Sequence, residues 1–383
     1  MRIFHVVDRM DPAYGGPSRS VGNLHQGLLK RGIESVVFTT DGRDSGRISP
    51  RGWDPQMRVH HYRALPPVRR GVSTQLLADL WRRIPTADVV HCHGVLALTT
   101  SLAATFARMR RIPLIISPLG MLDSWGLQQR KLRKQAWIAG IDRPNLDAAE
   151  AVRVTSPHEE AQVQGIWEAR NIAMIPHAID QSAFRAAVHW KGPHPIPAGW
   201  SAFVLFVGRL HPKKGVRELV AGFAAMARVQ ESLGLVIAGD GEANYVHELE
   251  QDIANERLTA RVMLTGQVDG ALKTWLMQNA AMFALPSRDE NFGVAVVEAA
   301  ATGSPLLLTP DVGVAYAFHG LPGVVLSSSQ PDSIAEGLAK LFADPRAAVG
   351  TAIAARASEH FSPDAVMPKM IQLYERAAAK SRK

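Results

Sequence analysis

Three basic residues, Arg209, Lys213 and Lys214, fall in the stretch GRLHPKKG, between the apolar run FVLFV and the helix-like VRELVAGFAAMARV. A glycine-bounded loop leaving a buried strand and entering a helix is a place where anions bind, because unpaired amides and the helix dipole both favour negative charge. Arg209 offers a planar fork that matches two phosphate oxygens, and Lys214 a compact charge one residue before Gly215. Together they describe a clamp for a diphosphate. A second loop, DPAYGGPSRS at 11–20, places Gly15 and Gly16 ahead of a helix, where the missing Cβ atoms let backbone amides approach an anion closely.

The third stretch is PSRDENFGVAVVEAAATGSP at 286–305. Its helix is predicted to start near Phe292 or Gly293, with Glu290 in the preceding loop and Glu298 inside the helix. The first turn of a helix leaves its N–H donors unpaired, so the amides of Asn291, Phe292 and Gly293 can meet hydroxyl groups. A glycosidase acid and nucleophile pair does not fit these glutamates. Eight helical residues span about 12 Å, whereas a retaining hydrolase holds its carboxyl groups about 5 to 5.5 Å apart. Neither basic loop is a Walker loop or a GxGxxG dinucleotide fingerprint, which argues against a P-loop NTPase and an ordinary nicotinamide enzyme.

These loops need strands and helices to position them. Short apolar runs alternate with longer helix-like stretches: RIFHVV, SVVFTT, DVVHCHG, PLIISP and AVRVTS in one series, then FVLFVG, LGLVIAG, VMLTG, AMFALPS, PLLLT and GVVLS in another. This is the rhythm of a parallel α/β sheet with both faces covered. The stretch HWKGPHPIPAGWSA holds three prolines and two glycines without periodicity and reads as a linker. The expected division is therefore a first Rossmann-like domain at 1–188, a linker at 189–202, a second such domain at 203–360, and a C-terminal helix at 361–383.

The chain has 383 residues, 46% of them apolar, 20% charged and one of them cysteine. That length supports two cores, and Cys92 alone can form no internal disulfide. Cys92 points opposite its strand neighbours and is expected in the core. The net charge of +8 favours anionic partners such as phosphorylated metabolites or an anionic membrane. No helix-turn-helix, zinc-finger or aromatic RNA-binding signature is present, so nucleic acid is not an expected partner. No apolar run reaches the length of a spanning helix and IFHVV is too short for a signal-peptide core, so the expected location is cytoplasmic, with any membrane contact peripheral.

The ordered set of GG, GRLHPKKG and Glu290–NFG–Glu298, with HCHG at 91–94, SPLGMLDSWGL at 117–127, IPHAID at 175–180 and AGDGE at 238–242, resembles the retaining glycosyltransferases of family 4 across essentially the whole chain. The resemblance implies a GT-B fold, α/β with two Rossmann-like parallel-sheet domains facing across a cleft, and a last helix that crosses back to the first domain. It implies a UDP- or GDP-linked sugar donor, hexosyl transfer with retention, and no metal or other cofactor. Arg209 and Lys214, assisted by Gly16, are similar to the pair that grips the donor diphosphate. Glu298 is similar to the residue that holds the ribose hydroxyls, and Glu290 to the one that orients the sugar, with amides of Asn291 to Gly293 on its hydroxyls. The base pocket is expected near Gly239 and Val268. Leu119 departs from the basic residue that many relatives carry in the SPLGML segment. His93 is then the expected cleft histidine; a metal at His91 and His93 lacks an evident third ligand.

The acceptor is expected on the first domain. The segment WGLQQRKLRKQAWIAGI gathers Arg130, Lys131, Arg133 and Lys134 among aromatic and aliphatic residues, which suits lipid headgroups or a polyprenyl-diphosphate-linked saccharide, and equally an ordinary solvated helix. The resemblance of the SPLGML and DSWGL segment implies an enzyme of bacterial polysaccharide biosynthesis. The competing readings are a nucleotide-sugar epimerase of the same fold and a non-catalytic basic binding module.

Overall fold

A computed structural model describes residues 1–10, 16–41, 58–64, 73–123, 131–168, 171–188, 190, 192, 195–343 and 346–380. Two compact units emerge, Met1–Ala178 with Pro363–Lys383, and Ile179–Ser362. Each is built on its own sheet.

The first sheet comprises β1 (Arg2–Arg9), β2 (Glu34–Asp41), β3 (Val59–Arg63), β4 (Val89–His93), β5 (Leu114–Ser117), β6 (Ala151–Val154) and β7 (Ile172–Met174), in the order β3-β2-β1-β4-β5-β6-β7. The second comprises β8 (Ala202–Val207), β9 (Leu233–Ala238), β10 (Val262–Gly266), β11 (Met282–Leu285), β12 (Leu306–Leu308) and β13 (Val324–Leu326), in the order β10-β9-β8-β11-β12-β13. Every neighbouring pair is parallel. The central strands read as unbroken apolar runs because helices cover both faces; β4, β5, β9 and β11 are buried at every residue. Where the order reverses, between β1 and β4 and between β8 and β11, the loops at the carboxyl ends diverge and leave room for a ligand.

The helix Pro363–Lys380 packs Val366, Met367, Met370, Tyr374 and Ala377 against Ile3, Leu24, Leu28, Val89 and Ile115 of the first unit. Its approach is close: a Cβ added at Gly27 would lie 2.7 Å from the sulfur of Met367.

Two boundaries differ from the sequence expectation. Residues 179–188 belong to the second unit, where Ile179 N donates to Phe361 O at 2.8 Å and the Gln181 amide to Ala357 O at 2.8 Å. Within the stretch read as a linker, Trp200 also packs there, covering Gly234 and donating its indole N–H to Ala260 O. Proline and glycine broke the periodicity of that stretch without freeing Trp200 from the core. Among the described residues, no helix is long and apolar enough to cross a membrane.

Candidate functional site

In the second unit the loops after β8, β9 and β11 are laced together by backbone. Leu210 N donates to Asp240 O at 2.8 Å, and a Cβ at Gly239 would lie 1.8 Å from Gly208 O. The glycine of AGDG is thus required by the approach of the neighbouring loop. In GRLHPKKG, Pro212–Lys214 forms a single 3-10 turn capped by the His211 ring, which accepts from Lys213 N at 3.2 Å. Gly215 then turns left-handed, with φ 66°, and a Cβ there would meet Pro286 O at 2.2 Å. That glycine brings the loop after β11 against the loop after β8.

Charge pairs complete the join. Arg288 N donates to Lys213 O at 2.8 Å, Lys213 faces Asp289 at 3.6 Å, and the ammonium of Lys214 pairs with the carboxylate of Glu290. Lys214 is 9% exposed, while Arg209 stands exposed on the same loop. Burial, then the charges of Arg209, Lys213 and Lys214, hold the His211 pKa below its usual value. The loop is a concentrated positive field around a neutral imidazole.

Glu290 is fixed by its backbone, its N–H donating to Asp311 O at 3.0 Å and its carbonyl accepting from Gly313 N at 2.8 Å. The Phe292 carbonyl accepts from Val314 N at 2.9 Å, and Gly293, with φ 95°, opens the helix Val294–Ala301. The predicted helix start was right to within two residues. Glu298 lies 4% exposed on that helix, its carboxylate paired with the ammonium of Lys273 on the helix Gly270–Asn279. Val268 is half-buried just before that helix. The second unit therefore gathers Arg209, Lys214, Gly239, Val268, Glu290, Asn291, Phe292, Gly293 and Glu298 on the loops and helix starts at the carboxyl edge of one sheet.

Sequence reading missed Lys273 and His211. A lysine three and four residues before the buried Leu276 and Met277 shares their helix face, and that spacing was the available signal for Lys273.

In the first unit, Gly16 begins the helix Gly16–Leu29 and its carbonyl accepts from the Ser20 hydroxyl at 2.9 Å. Gly15 and Arg130 lie outside the described residues. Lys131 begins the helix Lys131–Trp137, on which Arg133 is exposed and Lys134 half-buried.

His93 is placed differently from the cleft residue expected. It ends β4 at 2% exposure, with Nε2 2.9 Å from His5 Nδ1. Beside it, His91 bonds the Tyr374 hydroxyl and the Ser117 hydroxyl, each at 2.8 Å. The three rings offer nitrogens within 4.8 Å of one another, so His5 supplies the third group that HCHG lacked. Burial, the largest cause, pushes all three pKa values well below the usual range, and the buried Arg153 guanidinium adds to the effect. A nearby fixed cation opposes a bound metal ion, and among the described residues no carboxylate joins the set; the rings fit a neutral hydrogen-bonded cluster better than an ion site. Cys92 is 1% exposed and its thiol pKa is pushed up by burial, as expected of a core residue.

Glu159, also unforeseen, is 1% exposed and accepts from Gly120 N at 2.8 Å and from Thr155 N and the Thr155 hydroxyl at 2.7 Å. It ties down the SPLG turn, in which Leu119 takes a φ of 56°.

Two family models match this chain: "Glycosyl transferase 4-like domain" over residues 15–178 and "Glycosyl transferases group 1" over residues 197–358. The chain belongs to the family 4-like glycosyltransferases and has the GT-B fold. It is 27% identical over 346 residues to a GDP-mannose:cellobiosyl-diphosphopolyprenol alpha-mannosyltransferase of Xanthomonas oryzae pv. oryzae, covering 88% of this chain and 86% of that protein. A D-inositol 3-phosphate glycosyltransferase of Pseudarthrobacter chlorophenolicus is 25% identical, with 90% and 86% covered. Among solved structures, a sucrose-phosphate synthase from Thermosynechococcus elongatus superposes with a TM-score of 0.79 at 21% identity, covering 99% of this chain and all of that one. The Anabaena protein HepE, in complex with UDP and glucose, gives 0.75 at 19% identity over 98% of this chain and all of that one. These two are likenesses of fold.

Proposed function

We propose that this chain is a retaining glycosyltransferase that moves a hexosyl unit from a UDP- or GDP-linked sugar to a hydroxyl of a glycan or a polyprenyl-diphosphate-linked saccharide, in bacterial polysaccharide biosynthesis. The observation that carries the reading is the pairing of Lys214 with Glu290, which puts a buried cation and a carboxylate from two separate loops at one point. A relative that uses GDP-mannose and a diphosphopolyprenol-linked acceptor over nearly the same length supports the donor and acceptor classes.

In this reading the bond between the sugar C1 and the diphosphate oxygen breaks, and the electron pair leaves with the nucleoside diphosphate. Arg209, Lys214 and the N-terminus of the helix Val216–Val229 stabilise the charge that develops there, which is electrostatic preorganisation. Glu290, released from Lys214 as the diphosphate engages the lysine, orients the sugar together with amides of Asn291 to Gly293. The acceptor oxygen bonds C1 on the face the phosphate leaves, and its proton passes to that phosphate. His93 takes no proton in this scheme, because its ring is buried against His5. The acceptor falls to the first unit, with Arg133 and Lys134 on a surface for an anionic lipid. No metal ion or other cofactor is assigned a step.

The test is incubation with UDP-glucose or GDP-mannose and a lipid-linked oligosaccharide, with the product anomer read by NMR. A transferred sugar of the donor's own configuration supports the reading. An inverted anomer, or an epimerised nucleotide sugar with no transfer, would overturn it.

A further inference from the structure

The pair Lys273–Glu298 raises a physical problem. The two side chains are 9% and 5% exposed, and their neighbours on the helix Val294–Ala301 are Val296, Val297, Ala299, Ala300 and Ala301, all buried. An apolar pair of similar volume at these positions would pack without desolvating two charges, and replacing buried ion pairs in this way is often neutral or stabilising. A purely architectural role is thus a poor reason for a lysine and a glutamate here. The pair makes sense if the carboxylate is needed as a carboxylate.

Position supports this. Glu298 is the fifth residue, just past the first turn, of the helix whose entrance is the Glu290–Gly293 loop, and Lys273 lies in the first turn of the helix that follows Val268, its N–H donating to Asp269 O at 3.3 Å. The cation therefore comes from the helix that follows the loop proposed for the base, and the anion from the helix proposed for the ribose. An ionised carboxylate is acceptor-only and suits two adjacent hydroxyl donors, whereas a protonated one spends an oxygen as donor. A carboxylate so deeply buried needs charged or hydrogen-bonding partners to replace its lost hydration, and the Lys273 ammonium is one that also fixes its orientation.

We infer that Lys273 is a positioning residue for nucleotide recognition: it holds the Glu298 carboxylate in one orientation so that the donor's ribose hydroxyls are read, making the site selective for ribonucleotides over 2′-deoxyribonucleotides. This rests on the proposed role of Glu298 in the donor site.

The experiment is calorimetric titration of the intact protein with UDP, GDP and their 2′-deoxy counterparts, on wild type, Lys273→Met, Lys273→Gln and Glu298→Gln. A hydrogen bond to a charged group is worth about tenfold or more in affinity, so wild type should prefer the better-bound ribonucleotide over its deoxy form by about that factor. Both Lys273 variants should bring the ratio to within about twofold, chiefly by weakening the ribonucleotide. Lys273→Gln keeps a hydrogen-bond donor in the same volume and serves if Lys273→Met does not fold.

An unchanged ratio in the Lys273 variants, or equal losses for both sugars, overturns the inference, the second result marking Lys273 as architectural only. If Glu298→Gln abolishes selectivity and the Lys273 variants keep it, the inference alone fails. If Glu298→Gln retains full selectivity, or wild type binds none of the four nucleotides, the ribose reading of Glu298 fails and this inference with it.

Discussion

At the scale of single residues, the site depends on charges held where water is scarce. Lys214 pairs with Glu290, and Arg209 stands free of that pair on the same loop. Arg209→Ala should weaken UDP or GDP binding by about tenfold or more, the worth of a charge-assisted contact to phosphate. Glu290→Ala should lower kcat of transfer far more than it changes affinity for the free nucleotide; equal losses in both would remove Glu290 from the sugar. His211 offers a separate readout. Burial, and after it the neighbouring cations, lower its pKa, so it is neutral near pH 7 in the empty site. A bound diphosphate opposes those cations and raises the His211 pKa, so binding should take up protons and tighten as pH falls below 7. Calorimetry in buffers of different ionisation enthalpy measures this uptake. It should shrink in His211→Gln, and equal uptake in wild type and variant would assign the proton to the nucleotide itself.

At the scale of elements, glycines and one buried carboxylate fix the loops. Gly215→Ala would place a methyl 2.2 Å from Pro286 O at a left-handed φ, and Gly239→Ala one 1.8 Å from Gly208 O. Each should lower the urea midpoint of the second unit and weaken nucleotide binding together, because the obstructing atom is backbone. Glu159→Ala leaves the amides of Gly120 and Thr155 without their acceptor, and should cost about 1 to 3 kcal/mol for each buried group left unpaired. Legibility in the sequence followed burial at this scale. Strands buried on both faces, such as LIIS and MFAL, announce themselves as apolar runs. The edge strands β3 and β7 are half exposed and carry residues such as His60, His61 and Met174, so no run marked them. The glutamates and basic loop were legible because glycine and helix chemistry constrain them locally. Lys273 and the tie of Glu159 to the SPLG turn were not, since Glu298 lies 25 residues from Lys273 and Gly120 lies 39 from Glu159.

At the scale of the whole molecule, the histidines set the response to acid. Burial lowers the pKa of His5, His91, His93 and His177 well below the usual value, and that of His25 to about 4. The unfolded chain binds protons at these positions near pH 6.5 and the folded chain does not, so stability falls as pH drops below about 6.5. Each such histidine contributes a slope of up to about 1.4 kcal/mol per pH unit. Urea unfolding between pH 7.5 and 5 should show the midpoint falling, and a flat profile would contradict the buried neutral cluster. On the first unit, replacing Arg130, Lys131, Arg133 and Lys134 by glutamine should reduce attachment to vesicles containing phosphatidylglycerol; unchanged attachment would leave that helix a solvated one.

We propose that the second unit is a nucleoside-diphosphate site whose grip is the basic loop after β8. This is tested most directly by thermal unfolding of wild type and Arg209→Ala with UDP, GDP and ADP, since a ligand that binds only the folded state raises its stability with concentration. The account predicts a concentration-dependent rise in Tm for wild type with UDP or GDP, and a much smaller rise for Arg209→Ala at the same concentration. Equal rises in both proteins, or none with any of the three nucleotides, would contradict it.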